Sequence, residues 1–265
     1  MAKRSRRTDY DAIAALYDSQ PYRARAVDRG FLEFAGQRAC SVLDVGCGTG
    51  NQVVANRTAA PHARFVGVDQ SLGMLLQARP KASDIALVRA DAAALPFAAE
   101  SFDFIYCQYA FHHFDAKARM LHDVFRVLRP SGRFVLRNLC PHESEDWLYY
   151  EYFPEAALVD LNDFWPADAI MAVMEGAGFT AVTAEYEHLR FEQDLPAWLE
   201  ILRRRDTCSQ LQAIPDAAYE AGIRRLKREL ASGSGPRSRA DHLCLITIRG
   251  DKPAGWSRRP PVALS

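Results

Sequence analysis

The chain has 265 residues, of which 49% are hydrophobic and 25% charged, with 33 basic and 33 acidic side chains. This apolar fraction excludes a disordered protein, and the length allows one domain with an added element. A net charge of zero argues against broad electrostatic binding to nucleic acid or to an anionic membrane.

The cysteines and the first residues indicate a cellular location. Six cysteines are scattered without a C-x-x-C pair, which is typical of reduced thiols and predicts neither a disulfide framework nor a zinc site. Uncharged apolar runs are too short to span a bilayer, and the basic first seven residues lead into acidic ones, unlike a signal peptide. We therefore expect a cytoplasmic protein with no membrane insertion and no nucleic-acid partner.

Strand-like and helix-like segments alternate from residue 41 onward. Buried strands are predicted at 41–45, 64–69, 85–88, 102–109 and 133–139, with helices at 51–60, 71–79, 116–128 and 166–175. Strands separated by helices of this length form a parallel sheet with helices on both faces. Two further strand-like runs, 181–186 and 242–249, enclose two amphipathic helical patterns, which predict an inserted helical element or cap.

The strongest motif is the glycine loop VLDVGCGTG, which follows the first strand and opens a helix. Gly46, Gly48 and Gly50 allow a sharp turn and a close approach of the backbone to a ligand. The dinucleotide fingerprint G-x-G-x-x-G needs a glycine where this chain has Asn51. Asp44, on the strand itself, is a poor neighbour for a pyrophosphate and a good one for a cationic ligand.

Acidic residues end the next two strands. Asp69 lies 19 residues beyond Gly50, where an acid can accept hydrogen bonds from both hydroxyls of a ribose. Asp91 follows the third strand and can accept from the exocyclic amine of an adenine, while the backbone N–H of Ala92 serves a ring nitrogen. Together with Asp44, these acids describe a nucleoside with a positively charged attachment.

In this order, the motifs resemble those of class I S-adenosylmethionine-dependent methyltransferases, in the small-molecule group that includes the ubiquinone and menaquinone enzymes. The resemblance rests on VLDVGCGTG (42–50), FVGVDQS (65–71), VRADAAALPF (88–97) and FDFIYCQYAFHHF (102–114). It implies S-adenosyl-L-methionine as the cofactor. It also implies an α/β fold with a Rossmann-like, doubly wound seven-stranded sheet in the order 3-2-1-4-5-7-6, the last strand antiparallel.

The resemblance also implies a set of cofactor-binding residues. The methionine part of the cofactor would lie over the glycine loop, the ribose on Asp69, and the adenine near Asp91 and Met74. The predicted residues are Asp44, Gly46, Cys47, Gly48, Gly50, Asp69, Gln70, Met74, Asp91, Ala92, Gln108 and Arg23.

The motifs divide the chain into four parts. We expect an N-terminal helical lid segment at 1–35, a methyltransferase core at 36–190 plus 240–250, a helical insertion at 191–239 and a disordered tail at 251–265.

Three features are candidates for the acceptor side. His112 is preferred to His113 as a general base, although such histidines in this family often only shape the turn after strand four. Tyr17 and Arg23 could contact the methionine carboxylate or the substrate, or Tyr17 could pack in a surface helix. Aromatic residues between 147 and 165 could line an acceptor pocket or form the core of a cap. His112 and Tyr17 are thus the predicted catalytic residues.

The function predicted is direct in-line methyl transfer to a small-molecule acceptor. No catalytic metal is expected, because Gln108 and Asn138 stand where a magnesium-dependent catechol methyltransferase would place carboxylates. One alternative is a non-catalytic S-adenosylmethionine-binding partner protein with the same fold. A second is an NAD-dependent oxidoreductase, against which Asp44 and Asn51 argue. The sequence carries no signal for the acceptor atom or the oligomeric state.

Overall fold

One seven-stranded sheet organises the protein. The computed structural model describes residues 8–19, 23–144, 146–205, 208–232 and 236–256. The strands are β1 (Ser41–Val45), β2 (Arg64–Asp69), β3 (Ala86–Arg89), β4 (Phe102–Gln108), β5 (Leu128–Leu139), β6 (Thr180–Asp194) and β7 (Ser238–Asp251). Their order is β3-β2-β1-β4-β5-β7-β6, and β7 is antiparallel to both of its neighbours. The predicted fold class, strand order and antiparallel last strand are confirmed.

Helices cover both faces of the sheet and form a cap. They are α1 (Tyr10–Tyr17), α2 (Arg29–Ala35), α3 (Asn51–Ala59), α4 (Leu72–Ala78), α5 (Lys117–Val127), α6 (Leu148–Tyr152), α7 (Pro154–Asp163), α8 (Ala167–Ala177), α9 (Leu195–Leu202), α10 (Ser209–Ala213) and α11 (Asp216–Ala231). Local sequence explains where several begin: the Ser71 side chain caps α4 by accepting from the Met74 N–H. The sequence pattern did not predict α6 and α7 as separate helices.

The cap has an apolar core of its own. Tyr149, Tyr152 and Phe153 are buried together with Trp198 and Leu226, away from the two apolar clusters on the faces of the sheet. The aromatic residues at 149–153 are therefore the core of a cap. Among the described residues, the helices lack the combination of length and apolarity that crossing a bilayer requires.

The ends of the insertion and the start of the tail differ from the predicted boundaries. Strands β6 and β7 pair from Thr180 and Asp251 out to Asp194 and Ser238, so residues 191–194 and 238–239 belong to strands. The edge position of β6 leaves most of it exposed, which removes the apolar alternation that marks a strand in sequence. The tail was predicted from residue 251, yet Lys252 is 2% exposed and donates to the carbonyl of Leu128 at 2.8 Å. Residues 257–265 lie outside the described part of the chain.

Substitution of Gly222 by alanine should destabilise the cap. A Cβ built at Gly222 on α11 would lie 2.3 Å from a ring carbon of Phe153 and 2.5 Å from the Tyr152 carbonyl oxygen. We expect Gly222→Ala to lower the free energy of unfolding by about 1–3 kcal/mol, the usual cost of overpacking a core. Urea denaturation measures the change.

The matched control is Gly176→Ala on α8. A Cβ there meets nothing within 4 Å, so the substitution should stabilise the helix by about 0.5–1 kcal/mol through its better helix propensity. Equal effects of the two substitutions would contradict the packing described for the cap.

Candidate active site

A cavity of about 650 Å³ lies at the carboxyl ends of β1, β2, β3 and β4. This is the edge where parallel α/β sheets bind ligands. Most of the predicted site residues line it: Tyr17, Arg23, Asp44, Gly46, Cys47, Gly48, Asp69, Gln70, Met74, Asp91, Ala92 and Gln108. Gly50 and His112 lie outside this lining. Gly50 is the N-cap of α3 and packs against Ala78, while His112 borders a second cavity.

The glycine loop wraps closely around the end of β2. The N–H groups of Gly46 and Cys47 both donate to the Val68 carbonyl, at 2.8 and 2.9 Å. Gly46 and Gly48 have φ angles of 77° and 52°, in the left-handed region that favours glycine. A Cβ at Gly46 would lie 2.4 Å from that of Ala110, whereas one at Gly48 would meet nothing within 4 Å. The loop is therefore packed on one side and open toward the cavity on the other.

Asp69 joins this loop to the start of α4. Its two carboxylate oxygens accept from the backbone N–H of Gly48 and of Ser71, each at 2.9 Å. Burial raises the pKa of Asp69 above its usual value, against these hydrogen bonds. Each oxygen has a further lone pair for a ligand hydroxyl, because a carboxylate can accept about four hydrogen bonds.

Asp44 is a buried carboxylate that faces the same cavity. It is 2% exposed, and its Oδ2 atom accepts no hydrogen bond of ordinary length from the described residues. Burial raises the pKa of Asp44 well above its usual range, and the negative charge of Asp69 raises it further. The nearby Tyr106 hydroxyl lowers this pKa by less than burial raises it. A cationic group in the cavity would satisfy this carboxylate.

Two further carboxylates fasten α1 over the cavity. Asp11 accepts from the Ser71 hydroxyl and from the Gly73 N–H, both at 2.6 Å, at the start of α4. These hydrogen bonds lower the pKa of Asp11. Asp18, just after α1, accepts from the side chains of Thr49 and Asn51 at the start of α3. It also accepts from the Lys81 ammonium, which follows α4. Helix N-termini favour negative charge, so both ends of α1 have a defined docking position.

Cation–aromatic pairs border the cavity on the side of the N-terminal segment. The Arg23 guanidinium lies 4.0 Å from the centroid of the Tyr17 ring and donates to the Tyr17 hydroxyl at 2.7 Å. Arg25, which was not predicted, lies 4.6 Å from the ring centroid of Tyr109. Tyr109 has a φ of 55°, a strained conformation that is common at functional sites.

A second cavity, of about 340 Å³, adjoins the first beneath the cap. It lies between the turn that follows β4 and the helices α7 and α10. Five residues line both cavities: Thr8, Tyr10, Gln70, His113 and Phe114. The two spaces therefore meet at these side chains.

The two adjacent histidines have different positions. His113 lines both cavities, and its Nε2 atom is 2.5 Å from the Tyr10 hydroxyl. His112 lines only the second, with its ring stacked on Phe164 at 4.0 Å between centroids. Burial lowers the pKa of His112 well below its usual value, so this ring is neutral near pH 7. Tyr10 was missed by sequence reasoning, because its partner is 103 residues away.

The comparisons with known proteins agree with this arrangement. Residues 43–136 match the family model of a methyltransferase domain. A demethylmenaquinone methyltransferase of Thermus thermophilus is 32% identical over 197 residues, which cover 64% of this chain and 84% of that protein. The chain belongs to the S-adenosylmethionine-dependent methyltransferases. S-Adenosylmethionine, and not NAD, is thus its cofactor.

Solved structures share the fold of this methyltransferase. A protein of Anabaena variabilis, assigned as a methyltransferase from an antibiotic biosynthesis pathway, has a TM-score of 0.65 at 20% identity and covers 82% of this chain and 94% of its own. Phosphoethanolamine N-methyltransferase 2 of Haemonchus contortus, solved with S-adenosyl-L-methionine, has a TM-score of 0.56 at 20% identity. That match covers 84% of this chain and 51% of the other.

Loss of the Asp11 carboxylate should loosen α1. The Asp11→Ala substitution removes both hydrogen bonds to the start of α4, so the backbone amides of α1 should exchange with deuterium several-fold faster. Hydrogen exchange followed by mass spectrometry measures this, with Asp168→Ala on the exposed side of α8 as the control. Unchanged exchange in α1 would show that Asp11 does not hold the helix.

Proposed function

We propose that this methyltransferase acts on a small-molecule acceptor, with S-adenosylmethionine in the first cavity and the acceptor in the second. The observation that supports this assignment is the junction between the cavities at Tyr10 and His113. Methyl transfer is an in-line displacement, so the methyl donor and the attacking atom must meet at one point. The junction provides such a point.

The residues of the first cavity fit S-adenosylmethionine. The Oδ2 atom of the buried Asp44 has no hydrogen-bond donor among the described residues and could receive a cationic group, and the open side of Gly48 leaves room for the ligand. Asp69 would hold the ribose hydroxyls. Asp91 accepts from the Ala93 N–H through one oxygen, so its other oxygen can accept from the adenine amine. Met74 lines the cavity and also packs against α1. It could therefore contact the adenine while belonging to the core between α1 and α4.

The methionine part would contact the other side of the cavity. Arg23 carries the planar guanidinium that suits a carboxylate, and Tyr17 orients it through their hydrogen bond. The Gln108 amide nitrogen donates to Asp28 at 2.7 Å, which fixes its orientation and leaves its oxygen for an ammonium group. Tyr17 is therefore proposed as a binding residue in addition to its predicted catalytic role.

The protein's part in the reaction is alignment, exclusion of water and removal of a proton. When bound, S-adenosylmethionine supplies a methyl group activated by the sulfonium. An acceptor hydroxyl, amine or acidic C–H must lose a proton as its new bond to carbon forms. Tyr10 and His113 sit at the junction, where the hydroxyl can pass that proton to the imidazole. Burial raises the pKa of Tyr10, so it acts as a neutral relay. We therefore propose His113, and not His112, as the final proton acceptor.

Surface charge supports a small acceptor over a nucleic acid. Arginines of the basic runs just after α9 and on α11 are paired with acids: Arg203 with Glu200, Arg205 with Asp216, Arg224 with Glu220 and Arg225 with Glu151. These arginines belong to mixed-charge faces, which attract phosphate backbones weakly. All six cysteines are free thiols, which supports action in a reducing compartment such as the cytoplasm.

The first test is cofactor binding by an Asp69 variant. Asp69→Ala removes the ribose acceptor and its hydrogen bonds to the loop at Gly48 and to Ser71 at the start of α4, so the affinity for S-adenosylhomocysteine should fall by at least about tenfold. Isothermal titration measures it, with Asp84→Ala on the surface as the control. If Asp69→Ala bound as tightly as the wild type, Asp69 would have no part in the ribose site.

The second test separates the two histidines. With a library of small-molecule acceptors, His113→Gln should lower the rate of S-adenosylhomocysteine formation by on the order of 10²-fold, because the proton acceptor is lost. Its affinity for S-adenosylhomocysteine should stay near that of the wild type. His112→Gln should have the smaller effect on rate, and the reverse order would return the proton acceptor to His112.

A further inference from the structure

A carboxylate of the cap borders the second cavity. Asp160, on α7, is 2% exposed. Its Oδ2 atom accepts from the Tyr150 hydroxyl at 2.8 Å and from the Gln210 amide. Both donors are neutral, so among the described residues this buried carboxylate has no cationic hydrogen-bond partner. Buried carboxylates usually have one, because an uncompensated charge is costly away from water.

The other charged groups of the second cavity add to this acidic character. Asp115 and Asp163 also line it, together with Lys117, whose ammonium donates to the Phe114 carbonyl at 2.9 Å. Three acids and one base among the described lining residues give a negative potential, which favours a positively charged ligand.

Part of the lining of the second cavity is aromatic. It consists of the stacked rings of His112 and Phe164, whose planes lie 12° apart. A flat apolar or aromatic ligand body can pack against such a surface. The cavity thus offers an anion for a cationic group and a separate surface for the rest of the molecule.

We propose that the acceptor carries a protonated amine that binds Asp160, while another atom of the same molecule reaches the junction at Tyr10 and His113. This inference rests on the proposed function, because it takes the second cavity as the acceptor site. The ammonium has no lone pair, so it anchors the molecule and is not the atom that is methylated. That other atom loses its proton toward His113 and gains the methyl group, and S-adenosylhomocysteine leaves.

The charge state of Asp160 makes this binding depend on pH. Burial raises the pKa of Asp160 to about 7, and Tyr150 on α6, Gln210 on α10 and Asp163 on α7 face it. His112, Asp115 and Lys117 face the same cavity from the core. An ammonium binds the deprotonated carboxylate, so amine affinity should rise about tenfold between pH 6 and pH 8. The amine itself stays protonated in this range, since its own pKa is about 10.

The experiment uses the full-length enzyme saturated with S-adenosylhomocysteine. The probes are phenyl, 4-hydroxyphenyl and indol-3-yl ethyl compounds, each as the amine, the alcohol and the carboxylate, titrated calorimetrically. We expect the amine to bind at least about tenfold more tightly than the alcohol of the same frame, with the carboxylate weakest. Asp160→Asn should abolish this preference, and Asp168→Asn, an equal loss of charge on α8, should retain it.

The inference is overturned if no probe binds, if alcohols or carboxylates bind as well as amines, or if Asp160→Asn keeps the preference. Should Asp160→Asn fail to fold, the pH profile of the wild type decides. An amine affinity that does not change from pH 6 to pH 8 would also contradict the inference. Titration of S-adenosylhomocysteine on the same samples keeps the two proposals apart. Lost cofactor binding contradicts the proposed function, whereas intact cofactor binding without amine preference contradicts only the acceptor class.

Discussion

Burial of two carboxylates on adjacent strand ends is the constraint on which the rest of the site depends. Burial raises the pKa of both Asp44 and Asp69, and the charge of Asp69 raises that of Asp44 further. The hydrogen bonds that Asp69 accepts come from neutral backbone amides. Such an arrangement costs folding free energy unless a ligand compensates it. In the proposed binding mode, a cationic nucleoside would do so, because its positive charge and its hydroxyl donors would meet the two acids at once. Cofactor binding would then remove an electrostatic cost that the protein keeps in the free state.

The carboxylates at the edges of the site also differ in how hydrogen bonds compensate their charge. Asp11 and Asp18 are satisfied by donors at the starts of α4 and α3, so they hold α1 in place. Among the described residues, both donors to Asp160 are neutral, which is why we propose it as the site for a cationic group of the acceptor. Acidic side chains therefore have two uses here, and burial distinguishes them, because Asp11 and Asp18 are exposed whereas Asp160 is buried. The net charge of zero is thus unevenly distributed, because acids lie around the two cavities and many surface arginines are paired with other acids.

The core and the cap are packed separately, so their side chains can serve different parts of the site. The core places the glycine loop and its acids on strand ends, whose positions are set by the register of β1 with β2 and of β2 with β3. The cap has a separate apolar core, so it can vary without disturbing those strand ends. One face of the cap, formed by α7 and α10, closes the second cavity and brings Asp160 to it. Under the proposed function, the cofactor and the acceptor would therefore be recognised by separately packed parts of the chain.

The sequence by itself indicated most of the strands and the loop with Asp44, Asp69 and Asp91, because these depend on local periodicity and on fixed spacing from a strand end. The strand order came from the resemblance of the motifs to a known family. The sequence also singled out Arg23 and Tyr17 near the cofactor. Only the tertiary structure brought Tyr10 to His113 and Asp160 to the second cavity. These pairs join segments that are far apart in the chain, and their contact depends on how α1 and the cap dock. Docking follows from shape and from hydrogen bonds between distant elements, which no local pattern of residues records.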